Sequence, residues 1–173
     1  MITLNSFNLK QLKKKDILSI CKLKNEQWKY GLKSNLSWFK KNIKKNDIHN
    51  LLFLNKKLIG YTLLRKRKAV IKKENKIKRI NYLYFDTLKI KKKFRKNLYS
   101  KILMKFNSKK IISKRLHSFL ICSKKLVNYY IKFNWTHLKK NEFKLMDHKS
   151  KKFGMVFNNK KKIKKSKTYY YLT

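Results

Sequence analysis

The sequence predicts a mixed α/β (α+β) fold, a central sheet of about six to seven strands flanked by about four helices. Three observations carry the prediction. Apolar runs of strand length recur at 51–54, 58–64, 82–90 and 117–122. Segments with helical spacing of apolar residues lie before, between and after them, at 12–24, 36–43, 98–107 and 123–134. Further short apolar runs at 135–138, 143–146 and 154–157 extend the sheet.

In the first helical segment Leu12, Ile17, Ile20, Cys21 and Leu23 share a face, with Asp16 near the start. Ser34 or Asn35 is a candidate cap for the second, whose buried face carries Leu36, Phe39 and Ile43. Trp28, Tyr30 and Trp38 fit either a substrate pocket or ordinary core packing. The polar turn Asn55-Lys56-Lys57 joins 51–54 to 58–64 as a hairpin, and Gly60 inside its second strand signals a bulge or a close backbone approach. The basic stretch 65–79 reads as an exposed strand end followed by a loop.

The run 82–90 is largely apolar on both faces, broken at Asp86. Period-two alternation puts Asp86 on one face with Tyr84, Leu88 and Ile90. Burial would raise the pKa of that carboxyl group and neighbouring lysines would lower it. After the strand, the basic knot Lys91-Lys92-Lys93-Phe94-Arg95-Lys96-Asn97 precedes a helix carrying Leu98, Tyr99, Ile102, Leu103 and Phe106, with Asn97 as its candidate cap. Strand, basic turn, helix is an anion-binding arrangement: the free N–H groups and positive dipole end of the helix favour phosphate, and flanking Lys and Arg add to the field. The strand 117–122 leads through Ser123 into a helix with Leu126, Val127, Tyr130 and Ile131 inward, and Asn134 suits the left-handed residue that ends it. Residues 135–138 and 143–146 read as a hairpin around Lys139-Lys140-Asn141, and 154–157 as one more strand.

At 173 residues the chain is read as one domain over 1–157, with a lysine-rich tail over 158–173. Lys+Arg number 50 against 7 Asp+Glu, a net charge of +43 that attracts any polyanion. A Lys-, Asn- and Ile-rich composition without proline fits an A/T-rich coding bias, but that bias does not exclude acidic residues, so a polyanion contact stays open. Cys21 and Cys122 stand far apart and the four histidines form no metal-ligand spacing, so neither a disulfide framework nor a metal is expected. No apolar run approaches the roughly 20 residues of a membrane span, and a cytoplasmic protein is expected.

The element order resembles that of the GCN5-related N-acetyltransferases over about residues 12–157, and two segments carry the resemblance. Leu88-Lys89-Ile90-Lys91-Lys92-Lys93-Phe94-Arg95-Lys96-Asn97-Leu98-Tyr99-Ser100 is similar to the family's L-x-V-x-P-x-Y-R-G-x-G-x-G motif for acetyl-CoA. Leu126-Val127-Asn128-Tyr129-Tyr130-Ile131-Lys132-Phe133-Asn134-Trp135 is similar to its L-V-x-F-Y-x-K-x-G-W segment. Lys96, Leu98 and Ser100 replace loop glycines, Lys92 the loop proline, and Ser123 and Leu126 stand where the family often has Asn and Ala.

The resemblance implies acetyl transfer from acetyl-CoA to a primary amine of a small molecule, sugar or protein. It assigns the pyrophosphate to Arg95, Lys96, Asn97, Leu98, Tyr99 and Ser100, the pantetheine to the strand edge at Leu88 and Ile90, and a cofactor contact to Ser123. It makes Tyr130 the acid that protonates the leaving thiolate and Asp86 a base or an anchor for the substrate ammonium. It also makes 82–90 and 117–122 parallel neighbours. The charge, the tail and the interleaved aromatics motivate an alternative, a non-catalytic nucleic-acid-binding protein on the same fold.

Overall fold

A hairpin opens the sheet. Strand β2 (Ile48–Leu54) turns into β3 (Lys57–Lys73) through Asn55 and Lys56, whose φ angles of 47° and 62° are those of a type I′ turn. The computed structural model describes residues 1–73, 76–95, 97–139, 143–145, 153–158 and 168–172. Its strands follow the order β1 (Ile2–Phe7), β2, β3, β4 (Lys76–Ile90), β5 (His117–Cys122), β8 (Phe153–Phe157), β6 (Thr136–Leu138), a mixed sheet. The chain divides into two compact units, Met1–Arg65 with Phe85–Ser108, and Lys66–Tyr84 with Lys109–Thr173. Strands β3 and β4 (Lys76–Ile90) contribute to both.

In the first unit β1 (Ile2–Phe7) pairs antiparallel with β2, and β2 with β3. Helix α1 (Lys14–Asn25) begins where Asp16 accepts the Lys13 N–H at 3.0 Å, a scarce acid placed at the positive end of the helix. Helix α2 (Leu32–Asn42) starts before either expected cap, Ser34 or Asn35, following Gly31, whose φ of +85° suits glycine. Asn35 is held inside the helix, its Nδ2 donating to Gly31 O and Asn25 Oδ1. Leu12, Ile20, Cys21, Leu23, Phe39 and Ile43 bury one sheet face with Leu51, Tyr61 and Leu63. The neighbouring Leu52 points the other way, to Ile59, Ile90 and Leu103, as the pleat requires.

Gly60 meets the expectation of a close approach. The register shifts beside it, between Leu52 and Phe53, and a Cβ there would lie 2.8 Å from Ile90 Cδ1 and 3.1 Å from Leu52 Cβ. Helix α3 (Tyr99–Ser113) runs past Asn107, where its end was expected. Asparagine suits a helix end by itself, but this one is fully buried. Its Oδ1 accepts from Asn50 Nδ2 at 2.9 Å and from Thr62 Oγ1 at 3.0 Å. Asn107→Ala removes the acceptor these two donors share, leaving Asn50 Nδ2 only its bond to Thr62 Oγ1 at 3.2 Å and the buried Thr62 hydroxyl without this acceptor, and a loss of about 1–3 kcal/mol is expected. Urea unfolding should show it as a lower midpoint at unchanged slope; an unchanged midpoint would mean that the network contributes nothing.

In the second unit β4 runs parallel to β5 (His117–Cys122), with Tyr82, Leu83 and Tyr84 opposite His117, Ser118 and Phe119, as the resemblance implied. Ser118 Oγ donates to Leu83 O at 2.7 Å. Strand β8 (Phe153–Phe157) pairs antiparallel with both β5 and β6 (Thr136–Leu138). Ala69, Tyr82, Phe119, Leu138 and Val156 form the core of this unit.

Several expectations give way here. The basic stretch 65–79 is not a loop: apart from residues 74 and 75, outside the described residues, it belongs to β3 and β4. Long Lys and Arg side chains supply stems that sit on a strand while their charges reach water, which explains why charge alone misled. In place of the hairpin expected at 135–146, whose residues 140–142 and 146 lie outside the described residues, β6 pairs with β8 and β7 (Phe143–Leu145) with β9 (Thr168–Leu172) among the described residues. Strand β9, read from sequence with the tail, also pairs with β3; residues 159–167 lie outside the described residues. Helix α4 (Lys124–Ile131) buries Tyr130 but leaves Leu126 and Ile131 44% and 48% exposed, so those two are not inward.

Candidate active site

In the first unit, strand β4 carries two features in succession. Asp86 and Thr87 border a cavity of about 340 Å³, together with Lys24, Trp28, Tyr30, Ser34, Asn35 and Trp38. A few residues on, Leu88 and Ile90 pack with Leu103 of α3. Asp86 therefore does not share its surroundings with Leu88 and Ile90 as strict alternation required. Two consecutive residues, Asp86 and Thr87, reach the same cavity. The aromatic trio, open between pocket and core on sequence grounds, lines the pocket, with Tyr30 73% exposed at its edge.

The Asp86 carboxylate is held from two sides. Oδ2 accepts from Arg65 Nη1 at 2.9 Å and Oδ1 from Thr87 Oγ1 at 3.3 Å. Arg65 is also oriented by Asn42 O at 3.4 Å. Lys24 sits with Nζ 3.6 Å from the centroid of the Trp38 ring and 5.9 Å from that of Trp28. Burial lowers the Lys24 pKa, against the opposing pull of the Asp86 charge.

Past Ile90 the chain enters the basic turn, and its backbone is fixed to the rest of the unit. Lys91 N donates to Ile59 O at 2.8 Å, and Lys92 N to Glu26 Oε2 at 3.2 Å. Lys92–Phe94 form a 3-10 turn. Arg95 Nε donates to Ile90 O, while Arg95 Nη2 and Lys89 Nζ converge on Gln27 Oε1 at 2.8 and 3.3 Å. Glu26 and Gln27 at the end of α1 thus organise the turn. No sequence signal had marked them. Burial, and then the nearby Arg95 charge, lower the Lys89 pKa.

Arg95, Asn97 and Leu98 are exposed ahead of α3, Tyr99 packs edge-on against Phe94 at 5.6 Å, and Ser100 is half-buried. Lys96 lies outside the described residues. Leu98, which stands where the family has glycine, is 64% exposed and turns its bulk to solvent. The first-turn N–H groups of a 15-residue helix, with an arginine four residues before it, suit a pyrophosphate. The residues present fit coenzyme A in that respect.

Tyr130 and Ser123 lie in the second unit. Tyr130 is 7% exposed, its ring 6.0 Å from Trp135 and 5.4 Å from Tyr129. Burial raises its pKa, the Cys122 and Tyr129 charges adding in the same direction, so its hydroxyl keeps its proton. Ser123 occupies the N-cap position of α4 without a side-chain hydrogen bond to the helix. Asn134, with φ of 62°, ends α4 in the left-handed conformation expected. Among the described residues no three His, Cys, Asp or Glu side chains gather to hold a metal.

The strand order, the four helices and the turn-to-α3 junction define the fold of the GCN5-related N-acetyltransferases. Similar solved structures share it. An acyl-CoA N-acyltransferase from Pseudomonas aeruginosa has a TM-score of 0.65 at 12% identity, covering 90% of this chain and 99% of its own. The ribosomal-protein-S18-alanine N-acetyltransferase from Escherichia coli has a TM-score of 0.63 at 10% identity, covering 91% and 93%. An aminoglycoside 6'-N-acetyltransferase complexed with coenzyme A has a TM-score of 0.65 at 12% identity, covering 90% and 96%. No family model and no curated protein sequence matches the chain. The nucleic-acid-binding alternative finds no support in these comparisons, and no described helix is long and apolar enough to cross a membrane.

Proposed function

We propose that the protein is an N-acetyltransferase that moves an acetyl group from acetyl-CoA to a primary amine, acting in the cytoplasm. The observation that carries this reading is the succession on β4: a carboxylate in an aromatic pocket, then within ten residues a basic turn opening onto a long helix. The fold shared with N-acyltransferases, one of them a coenzyme A complex, supports it.

In this reading Arg95 and the first-turn N–H groups of α3 hold the pyrophosphate, with Lys96, Asn97, Leu98, Tyr99 and Ser100 in the same turn. Ser123 adds a contact, and the β4 backbone at Leu88 and Ile90 pairs with the pantetheine amides. A backbone N–H near Leu88 stabilises negative charge developing on the acyl oxygen. Asp86, its carboxylate fixed by Arg65 and Thr87, retains lone pairs to accept a hydrogen bond or proton from the acceptor amine. Tyr130 donates its proton to the departing thiolate.

An acetyl-CoA-dependent thiol-release assay across amine classes tests the reading. Saturable release that requires an amine is expected. Asp86→Asn, which keeps the shape of the side chain but not its basicity, should lower kcat/KM by about 10²-fold or more. Absence of release with every amine class, together with no calorimetric binding of acetyl-CoA at moderate salt, would overturn the proposal.

A further inference from the structure

Lys24 is the one charged group of the β4 pocket whose charge is left over. Asp86 is paired with Arg65 at 2.9 Å, and its second oxygen accepts from Thr87, each oxygen keeping a further lone pair. Lys24 is 8% exposed, and among the described residues neither a carboxylate nor a hydrogen-bond acceptor pairs with its Nζ. What it has is the face of Trp38 at 3.6 Å. The side chain is largely buried and its ammonium, drawn only from a distance by the Asp86 charge, has no anion in contact, so an anion entering the pocket would complete it. The pocket therefore carries a surplus positive charge, set on a tryptophan wall.

We infer that Lys24 makes this pocket a receptor for a carboxylate, and that the acceptor is an amine bearing a carboxylate group on a flat or apolar body that lies against Trp28 and Trp38. The inference rests on the acetyltransferase reading for its amine but not for its carboxylate. The ammonium is a single strongly hydrated point charge on a flexible stem, which suits one carboxylate better than the planar, bidentate recognition that an arginine would supply. The 340 Å³ cavity accommodates a single-ring acceptor. An acceptor with an amine but no acid would place a third cation near Lys24 and Arg65, with the Asp86 charge already shared.

The test uses 3-phenylpropionate and its neutral amide, read by intrinsic tryptophan fluorescence, since Trp28 and Trp38 line the cavity. In the full chain the acid should bind at least about tenfold tighter than the amide, and Lys24→Gln should abolish that preference while leaving the amide unaffected. Equal affinity for the two probes in the unaltered protein, a comparison that needs no variant, would overturn the inference. So would a preference for the acid that survives Lys24→Gln, because it would reflect the general charge of +43. Neither probe carries an amine and no acetyl-CoA is present, so this outcome is separate from whether transfer occurs. With acetyl-CoA, 3-(aminomethyl)benzoate should be acetylated at about tenfold higher kcat/KM than its amide, whereas equal values would remove the carboxylate from the substrate assignment.

Discussion

Tyr130→Phe should lower kcat for acetyl transfer by about 10²- to 10⁴-fold, the span associated with loss of a positioned general acid. The substitution removes one oxygen and keeps the ring, so the packing against Trp135 and Tyr129 survives. Its cost in stability should stay near 1 kcal/mol, the usual worth of a single hydroxyl hydrogen bond. The contrast between a large rate loss and a small change in melting temperature is what separates an acid from a core tyrosine. Burial contributes a second sign. Because the Tyr130 pKa is raised, the hydroxyl remains protonated throughout the ordinary working range. The rate of the unaltered enzyme should therefore show no alkaline decline from this group, and any decline should persist unchanged in Tyr130→Phe. Full activity in the variant would assign Tyr130 to packing alone and return the proton donor to water or to another residue.

How far the sequence announced this site follows from what each residue does locally. Strand β5 was legible to the residue, because HSFLIC is a compact apolar run with a capping serine behind it. The place of the turn between β4 and α3 was legible because apolar runs of strand and helix spacing flank its cations, although a lysine run taken alone is usually a solvated loop. Strand β1 was not, since ITLNSF mixes polar and apolar residues and gains its pattern only from lying against β2. Asn107 resembled a helix end because its partners Asn50 and Thr62 are more than forty residues away. Lys24 was hidden for a statistical reason: among 50 lysines and arginines, nothing in sequence distinguishes the one that is buried over a tryptophan. The pocket's walls could be suspected from Trp28, Tyr30 and Trp38. Its charge depended on the Arg65–Asp86 pair, and Arg65 was read only as part of an exposed strand end.

Acid should destabilise the first unit through His49. This histidine is fully buried, its Nδ1 is 2.8 Å from Tyr61 Oη, and its Nε2 has no partner among the described residues. With the ring proton on Nδ1 donated to Tyr61 Oη, the neutral ring leaves only the Nε2 lone pair unpartnered. A second proton would place an N–H in the core with no acceptor. Burial accordingly lowers the His49 pKa from 6.5 to about 4, a nearby Asp47 opposing and Lys24 assisting. In the unfolded chain the ring regains its ordinary value near 6.5. Between those two values the unfolded state binds more protons than the folded one, so stability increases with pH across that window. It is fully present above about pH 6.5 and is lost as pH falls toward about 4, by about 3 kcal/mol over the whole window. His117, whose pKa burial also lowers, acts with the same sign in the second unit. Urea midpoints taken from about pH 7 down to about pH 4.5 measure the slope. His49→Gln keeps a neutral hydrogen-bonding group for Tyr61 and removes the titration, so the slope should flatten by close to one proton in that window, leaving the contribution of His117. A slope identical in the two proteins would show that His49 is protonated in the folded state, and that its Nε2 has found an acceptor after all.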